Sequence, residues 1–294
     1  MTLSGKTKLA GVMGYPVAHS RSPVLHGHWL QRYGIDGAYV PLPVAPENFV
    51  EALSALPHLG FAGTNVTVPH KQTALALLGE IGEVDDVARR IGAVNTIVVS
   101  EDGRMRGSNS DAFGFMENIR DRAPDWQAKA GPVVVLGAGG ASRAILVALL
   151  DAGVPEIRLV NRSRERADGL ASEFNPEGGN RISVSDWNQK NDLLADANGL
   201  INATSLGMEG QPPLDLDPEA LGQYASPEFL VNDIVYAPLE TDLLRNAKKC
   251  DVNAVDGLGM LLHQARPGFA AWFGQEPVVD DDLRQAVLRD LEVG

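Results

Sequence analysis

Short apolar runs alternate with stretches of helical period along most of the chain. Residues 9–13 read as a strand, and 22–33 as a helix with Ser22 as N-cap and Pro23 at the first helical position. A strand at 38–42, a helix at 46–55, a strand at 63–68 and helices at 71–78 and 84–91 follow. Strands at 96–100 and 104–107 are joined by Glu101-Asp102-Gly103, a hairpin turn. After a helix at 111–121 and an apolar-poor connector at 122–131, a second series begins at Pro132. Its strands are expected at 133–136, 157–160, 199–202, 230–235 and 252–255, with a helix at 241–249 and closing helices at 258–273 and 280–291. Residues 175–180 and 209–218, rich in Gly, Pro and acid, read as surface loops. Strand–helix alternation in both halves predicts an α/β fold with parallel sheets.

One segment of this pattern carries a ligand signature. The apolar strand before residue 137 runs directly into Gly137-Ala138-Gly139-Gly140-Ala141-Ser142 and then a helix, the opening of a dinucleotide-binding unit. Gly137 makes the tight turn, Gly139 lets backbone approach a pyrophosphate, and the helix N-terminus offers unpaired N–H groups. Binders of unphosphorylated NAD usually carry an acid at the end of the second strand, about 20 residues on. Here Asn161-Arg162-Ser163 occupies that place, with Arg166 four residues after Arg162, so that on a helix both would share one face. A guanidinium grips a ribose 2′-phosphate where a carboxylate would repel it, so NADP is the expected cofactor. Taken alone, Arg162, Arg164 and Arg166 read equally as a solvated helix start balanced by Glu165.

Length and charge narrow the picture. The 294 residues suggest two domains, and 44% hydrophobic with 21% charged residues is ordinary for a globular enzyme. A formal net charge of −13 argues against nucleic acid or an anionic membrane surface as a partner. A site for an anionic small-molecule substrate must therefore build its own positive potential. The single cysteine, Cys250, excludes an intrachain disulfide, and no apolar run is long enough to span a bilayer. A cytoplasmic protein is expected, as monomer or homodimer.

The remaining chemistry lies in polar residues just after the strands. Ser20 and Ser22 stand two apart beside a helix N-terminus, a place to receive a carboxylate, although Ser22 alone reads as a plain cap. Asn65 and Thr67 alternate with Val66 and Val68, so the polar pair is expected on one face and the valines buried on the other. Lys71 opens a helix, where a cation is mildly unfavourable. By itself it reads as a solvated lysine, and Asp111 as a first-turn acid. As a pair, Asp111 could adjust the proton affinity of Lys71, as a ketone reduction requires. The six histidines show no metal-ligand spacing, and no metal is expected.

In order along the chain, these blocks resemble the shikimate dehydrogenase family. The blocks are Gly14 to Pro23, Asn65 to Lys71, Gly92 to Thr96, Asn109 to Gly114, Gly137 to Ser142, Asn161 to Ser163, Ile201 to Ser205, Asp233 to Tyr236 and Asp256 to Gln264. The resemblance implies a substrate-binding domain at 1–110, completed by C-terminal helices at 258–294, and a Rossmann-like NADP-binding domain at 111–257 across a cleft. It implies reversible NADPH-dependent reduction of 3-dehydroshikimate to shikimate, in aromatic amino acid biosynthesis. Ser20 and Ser22 would hold the substrate carboxylate with Tyr236 nearby. Asn65, Thr67, Asn95, Asp111 and Gln264 would bind ring hydroxyls, and Lys71 with Asp111 would form the catalytic pair. For the cofactor, Gly137, Ala138, Gly139, Gly140 and Ala141 would meet the pyrophosphate. Asn161, Arg162, Ser163 and Arg166 would meet the adenosine phosphate, and Ala203, Thr204, Gly259 and Met260 the nicotinamide. His70 stands where family members commonly carry Phe, and Ser110 where they carry Thr. An NAD-dependent quinate/shikimate dehydrogenase and a non-catalytic nucleotide-binding regulator are the competing readings.

Overall fold

A computed structural model describes residues 3–175, 179–224, 226 and 228–293. The chain divides into two compact units, Met1–Ser110 with Leu262–Gly294, and Asp111–Leu261. Of the loop expected at 175–180, residues 176–178 lie outside the described residues.

In the first unit the elements run β1 (Lys8–Gly14), α1 (Ser22–Arg32), β2 (Gly37–Pro43), α2 (Phe49–Ala55), β3 (Phe61–Val66), α3 (Lys71–Ile81), β4 (Glu83–Val84), α4 (Asp86–Ile91), β5 (Thr96–Val99) and β6 (Met105–Ser108). They form one sheet in the order β2-β1-β3-β5-β6-β4. β1 pairs in parallel with β2 and β3, and β4 with β6, whereas the hairpin makes β5 antiparallel to both β3 and β6. The sheet is therefore mixed rather than parallel throughout. One face buries Met13, Phe49, Leu53, Val66, Leu78 and Ile97. Trp29, fully buried on α1, meets the ring of Phe269 at 5.1 Å, and the Trp272 indole donates to Ile97 O at 2.9 Å.

In the second unit come α5 (Asp111–Arg122), β7 (Val133–Leu136), α6 (Gly140–Ala152), β8 (Ile157–Val160), α7 (Arg164–Phe174), β9 (Ile182–Ser185), β10 (Gly199–Asn202), α8 (Pro218–Tyr224), β11 (Leu230–Asp233), α9 (Asp242–Lys249) and β12 (Asn253–Val255). Its sheet is parallel throughout, ordered β12-β11-β10-β7-β8-β9, with β7 buried along its whole length. Helix α10 (Leu258–Phe273) begins in this unit and continues into the first, which α11 (Asp281–Val293) completes.

Several expectations shift. β3 ends at Val66, and Val68 is 69% exposed rather than buried, because the chain has left the sheet before it reaches Pro69. β4, β9 and α8 have no counterpart in the hydrophobic pattern. Each is short, and β9 is an edge strand of alternating Ile-Ser-Val-Ser. Among the described residues, no helix is long and apolar enough to cross a membrane, and no group of three or more His, Cys, Asp or Glu could hold a metal ion.

Candidate active site

In the first unit the polar residues gather where β1 and β3 end side by side. The loops leaving these strands are stitched together, Thr67 N donating to Met13 O at 2.9 Å and Tyr15 N to Val68 O at 3.0 Å. A Cβ on Gly14 would meet Thr67 Cγ2 at 2.4 Å, so the two loops could not approach this closely with a larger residue there. Ser20 and Ser22 follow on the β1 side. Arg21, not Ser22, is the N-cap residue of α1, and Ser20 Oγ accepts the Ser22 N–H at 3.3 Å. Ser22 thus lies one residue inside the helix, and its hydroxyl is not used as the cap. Pro23 still falls in the first turn, where its missing N–H is tolerated.

On the β3 side Asn65 is 7% exposed and fixed on both ends of its amide. Its nitrogen donates to Asn95 O at 3.0 Å and Thr96 Oγ1 at 3.1 Å, and its oxygen accepts from Tyr39 Oη at 2.6 Å. Asn95 is buried, its side-chain oxygen accepting from Thr96 Oγ1 at 2.8 Å and Ser110 N at 3.0 Å. Thr67 is half-buried one step beyond the strand. Lys71 is the first residue of α3, and its carbonyl accepts Val94 N at 3.0 Å, tying the helix start to the segment that carries Asn95. His70 explains its own place. Its ring stacks on Phe49 at 4.3 Å with Nε2 at 2.7 Å from Val44 O, so it packs inward beneath the start of α3. Gln264, on the part of α10 that belongs to this unit, is half-buried.

The second unit holds the glycine loop. Gly137 has φ +108°, outside the range of L side chains, and a Cβ there would meet Ala203 O at 2.8 Å. Gly139 and Gly140 are exposed and a Cβ on either would face open space, so a ligand can approach this turn closely. Ser142 departs from the usual small third residue for a visible reason: it is buried at the start of α6, and its hydroxyl accepts the Gly139 N–H at 3.1 Å. Asn161 fastens the loop to the tip of β8, accepting from Ala138 N at 3.3 Å and donating to Ser163 O at 2.8 Å. α7 starts at Arg164, so Arg162 stands before the helix and shares no helical face with Arg166. The three arginines are not equivalent. Arg164 is paired with Asp186 at 2.7 Å, whereas Arg162 and Arg166 are exposed and meet no carboxylate among the described residues. An open glycine turn at the start of α6, with two exposed guanidiniums beyond β8 that meet no carboxylate among the described residues, fits a dinucleotide carrying an extra phosphate.

The neighbouring strands β10 and β11 of the same sheet are tied together by a buried network that residue order does not reveal. Asp233 Oδ1 accepts from Asn202 Nδ2 at 2.9 Å and Val235 N at 3.0 Å, and its Oδ2 from Thr241 Oγ1 at 2.7 Å. Burial pushes the Asp233 carboxyl up to about 6, against the opposing pull of these hydrogen bonds. Asn202 in turn accepts from Thr204 Oγ1 at 2.7 Å, which fixes the Ala203-Thr204 turn. Asp111 opens α5, and Tyr236 is half-buried just beyond β11. Gly259 permits close packing, since a Cβ would fall 1.8 Å from Asn118 Oδ1, and Met260 follows it, half-buried. Asn202 and Asp233 stand in blocks that carry the family resemblance, but their pairing is not legible in sequence, and Tyr39 escapes it because a lone aromatic in an apolar strand looks like any other core position. Only their convergence in space distinguishes them.

Comparison with known proteins bears on both units. The family described as shikimate dehydrogenase substrate binding domain matches residues 12–97, and the family described as shikimate / quinate 5-dehydrogenase matches residues 120–208. A shikimate dehydrogenase (NADP(+)) of Rhodospirillum rubrum is 58% identical over 97% of this chain and 99% of its own. The structure of a Thermus thermophilus shikimate 5-dehydrogenase in complex with NADP(H) and shikimate superposes with a TM-score of 0.81 at 36% identity, covering 96% of this chain and 99% of that one. A quinate dehydrogenase from Corynebacterium glutamicum in complex with NAD superposes with a TM-score of 0.86 at 31% identity, over 96% and 99% of the two chains.

Proposed function

The chain belongs to the shikimate dehydrogenase family, and from that membership we propose that it catalyses the reversible, NADP-dependent interconversion of shikimate and 3-dehydroshikimate. It is an oxidoreductase acting on a CH–OH group, and it is proposed to work in the cytoplasm. The observation that carries the cofactor choice is the pair Arg162, just beyond β8, and Arg166, in the first turn of α7, both exposed and without a carboxylate partner among the described residues. The first unit, with its C-terminal helices, is assigned to substrate and the second to NADP.

The roles follow from the family resemblance. Ser20 and Ser22 are assigned to the substrate carboxylate, together with Tyr236. Asn65, Thr67, Asn95 and Gln264 are assigned to the ring hydroxyls. Gly137 to Ala141 would receive the pyrophosphate, with Asn161, Arg162, Ser163 and Arg166 around the adenosine phosphate. Ala203, Thr204, Gly259 and Met260 would line the nicotinamide. NADP, when bound, donates or accepts the hydride. The protein's own work is to hold the ring carbon in line for that transfer and to stabilise charge on the carbonyl oxygen. Lys71, acting with Asp111, is assigned to that oxygen, giving it a hydrogen bond and a proton in reduction and taking the proton back in oxidation.

Initial rates with shikimate and quinate, each with NADP and with NAD, test the proposal. Fast turnover restricted to shikimate and NADP is the expected result. Comparable rates with quinate and NAD would place the chain functionally beside the Corynebacterium enzyme instead, and no turnover with any pair would sink the proposal.

A further inference from the structure

Tyr39 lies on β2 with its side chain buried, outside every motif of the sequence. Its hydroxyl donates to Asn65 Oδ1 at 2.6 Å, while the Asn65 nitrogen donates to Asn95 O at 3.0 Å and to Thr96 Oγ1 at 3.1 Å. A backbone carbonyl only accepts, so the nitrogen must face Asn95, and the amide has a single orientation. Tyr39, facing the amide oxygen, must therefore be the donor. A primary amide has two N–H donors and two oxygen lone pairs. Both donors and one lone pair of Asn65 are engaged within the protein, which leaves one lone pair on Oδ1. The Tyr39 ring is itself held, stacked on His26 with centroids 3.9 Å apart and planes 7° from parallel, and with Trp272 at 6.0 Å.

We propose that Tyr39 is a positioning residue which, with the Asn95 carbonyl, makes Asn65 an acceptor-only contact, so that the ligand group meeting it must be a hydroxyl that donates. A ketone or ether oxygen brought to that point would face a lone pair with no hydrogen between them. The reducible carbonyl is thereby turned away from Asn65, and a ring hydroxyl is turned toward it. This rests on the assignment of Asn65 to the substrate hydroxyls, which Asn65→Ala tests separately. No change in the KM for shikimate in that variant would remove the assignment itself.

With the assignment standing, two measurements bear on Tyr39. Tyr39→Phe keeps the ring packing and removes only the hydroxyl. It should raise the KM for shikimate about 3- to 10-fold, leave the KM for NADP unchanged, and leave kcat within about twofold. Unchanged shikimate KM in a folded Tyr39→Phe, or equal losses for both substrates, would overturn the positioning role. The second measurement needs only wild-type protein and Asn65→Ala. Shikimate analogues with one ring hydroxyl at a time replaced by hydrogen identify the hydroxyl that meets Asn65, as the one whose removal costs nothing further in Asn65→Ala. At that position a fluorine, which accepts but cannot donate, should bind wild type no better than hydrogen does. A fluoro analogue binding as tightly as shikimate would show that Asn65 donates, and would overturn the proposal.

Discussion

His26 lies flat against Tyr39, its ring buried and, among the described residues, neither ring nitrogen meeting a hydrogen-bond partner. Burial drives its pKa from 6.5 down to about 3, so the folded protein keeps this imidazole neutral across the physiological range. The folded-state pKa is depressed. Its contribution to stability is therefore complete above the unfolded value and is lost as pH falls toward the folded one. Between pH 7 and 5 the unfolded chain takes up a proton here and the folded chain does not, a cost of about 2 kcal/mol. His26→Leu removes the titration. Urea unfolding of both proteins should show wild type losing its advantage over the variant by about that amount at pH 5. A gap that does not change with pH would contradict the buried neutral imidazole.

The arginines assigned to the adenosine phosphate make a sharper comparison. Arg162→Ala should raise the KM for NADP about 10-fold while leaving the KM for NAD alone, since one charge-assisted contact is lost. Arg164→Ala should change neither KM, because Arg164 is already committed to Asp186 at 2.7 Å. Equal effects of the two substitutions on NADP would mean that carboxylate pairing does not decide which arginine reads the phosphate.

Much of this is legible in the sequence alone, and the reason is physical. The glycine loop, the strand before it and the arginines after it are contiguous, so the order of residues alone places them. The helix starts at Lys71 and Asp111 are legible in the same way. Tyr39 is not, and neither is the pairing of Asp233 with Asn202. Tyr39 meets Asn65 across 26 residues and Asn202 meets Asp233 across 31, and no local period records such pairings. The alternation rule also failed at Val68, since it holds only while the chain remains in the sheet, and β3 ends two residues earlier.

Lys71→Ala should lower kcat by a factor on the order of 10²–10⁴, the usual range for an acid–base group, with NADPH affinity unchanged by fluorescence titration. Because Lys71 is the first residue of α3, alanine is compatible with the helix and removes an unfavourable cation from its N-terminal turn. A loss of activity accompanied by unfolding would therefore be unexpected. Near-normal turnover would take the proton-transfer role away from Lys71.

Asp233 provides a pH test of opposite sign to His26. Its carboxyl is raised from 3.8 to about 6 by burial, so ionisation costs stability as pH rises through that range. Stability is full below the unfolded value and declines until the folded group has ionised. From pH 5 to 8 the expected loss is roughly 1–2 kcal/mol. Asp233→Asn is nearly isosteric. Its oxygen can still accept from Asn202 and Val235, and its nitrogen can turn to Thr241 Oγ1, with that hydroxyl reoriented. The variant should therefore gain on wild type by that amount between pH 5 and pH 8 in urea unfolding. The Ala203-Thr204 turn hangs on Asn202, and Asn202 on residue 233. The KM for NADP in Asp233→Ala, where every acceptor is gone, should accordingly rise more than in Asp233→Asn. If alanine and asparagine alter NADP binding equally, the network does not hold the turn, and Asp233 is a buried acid with a stability cost alone.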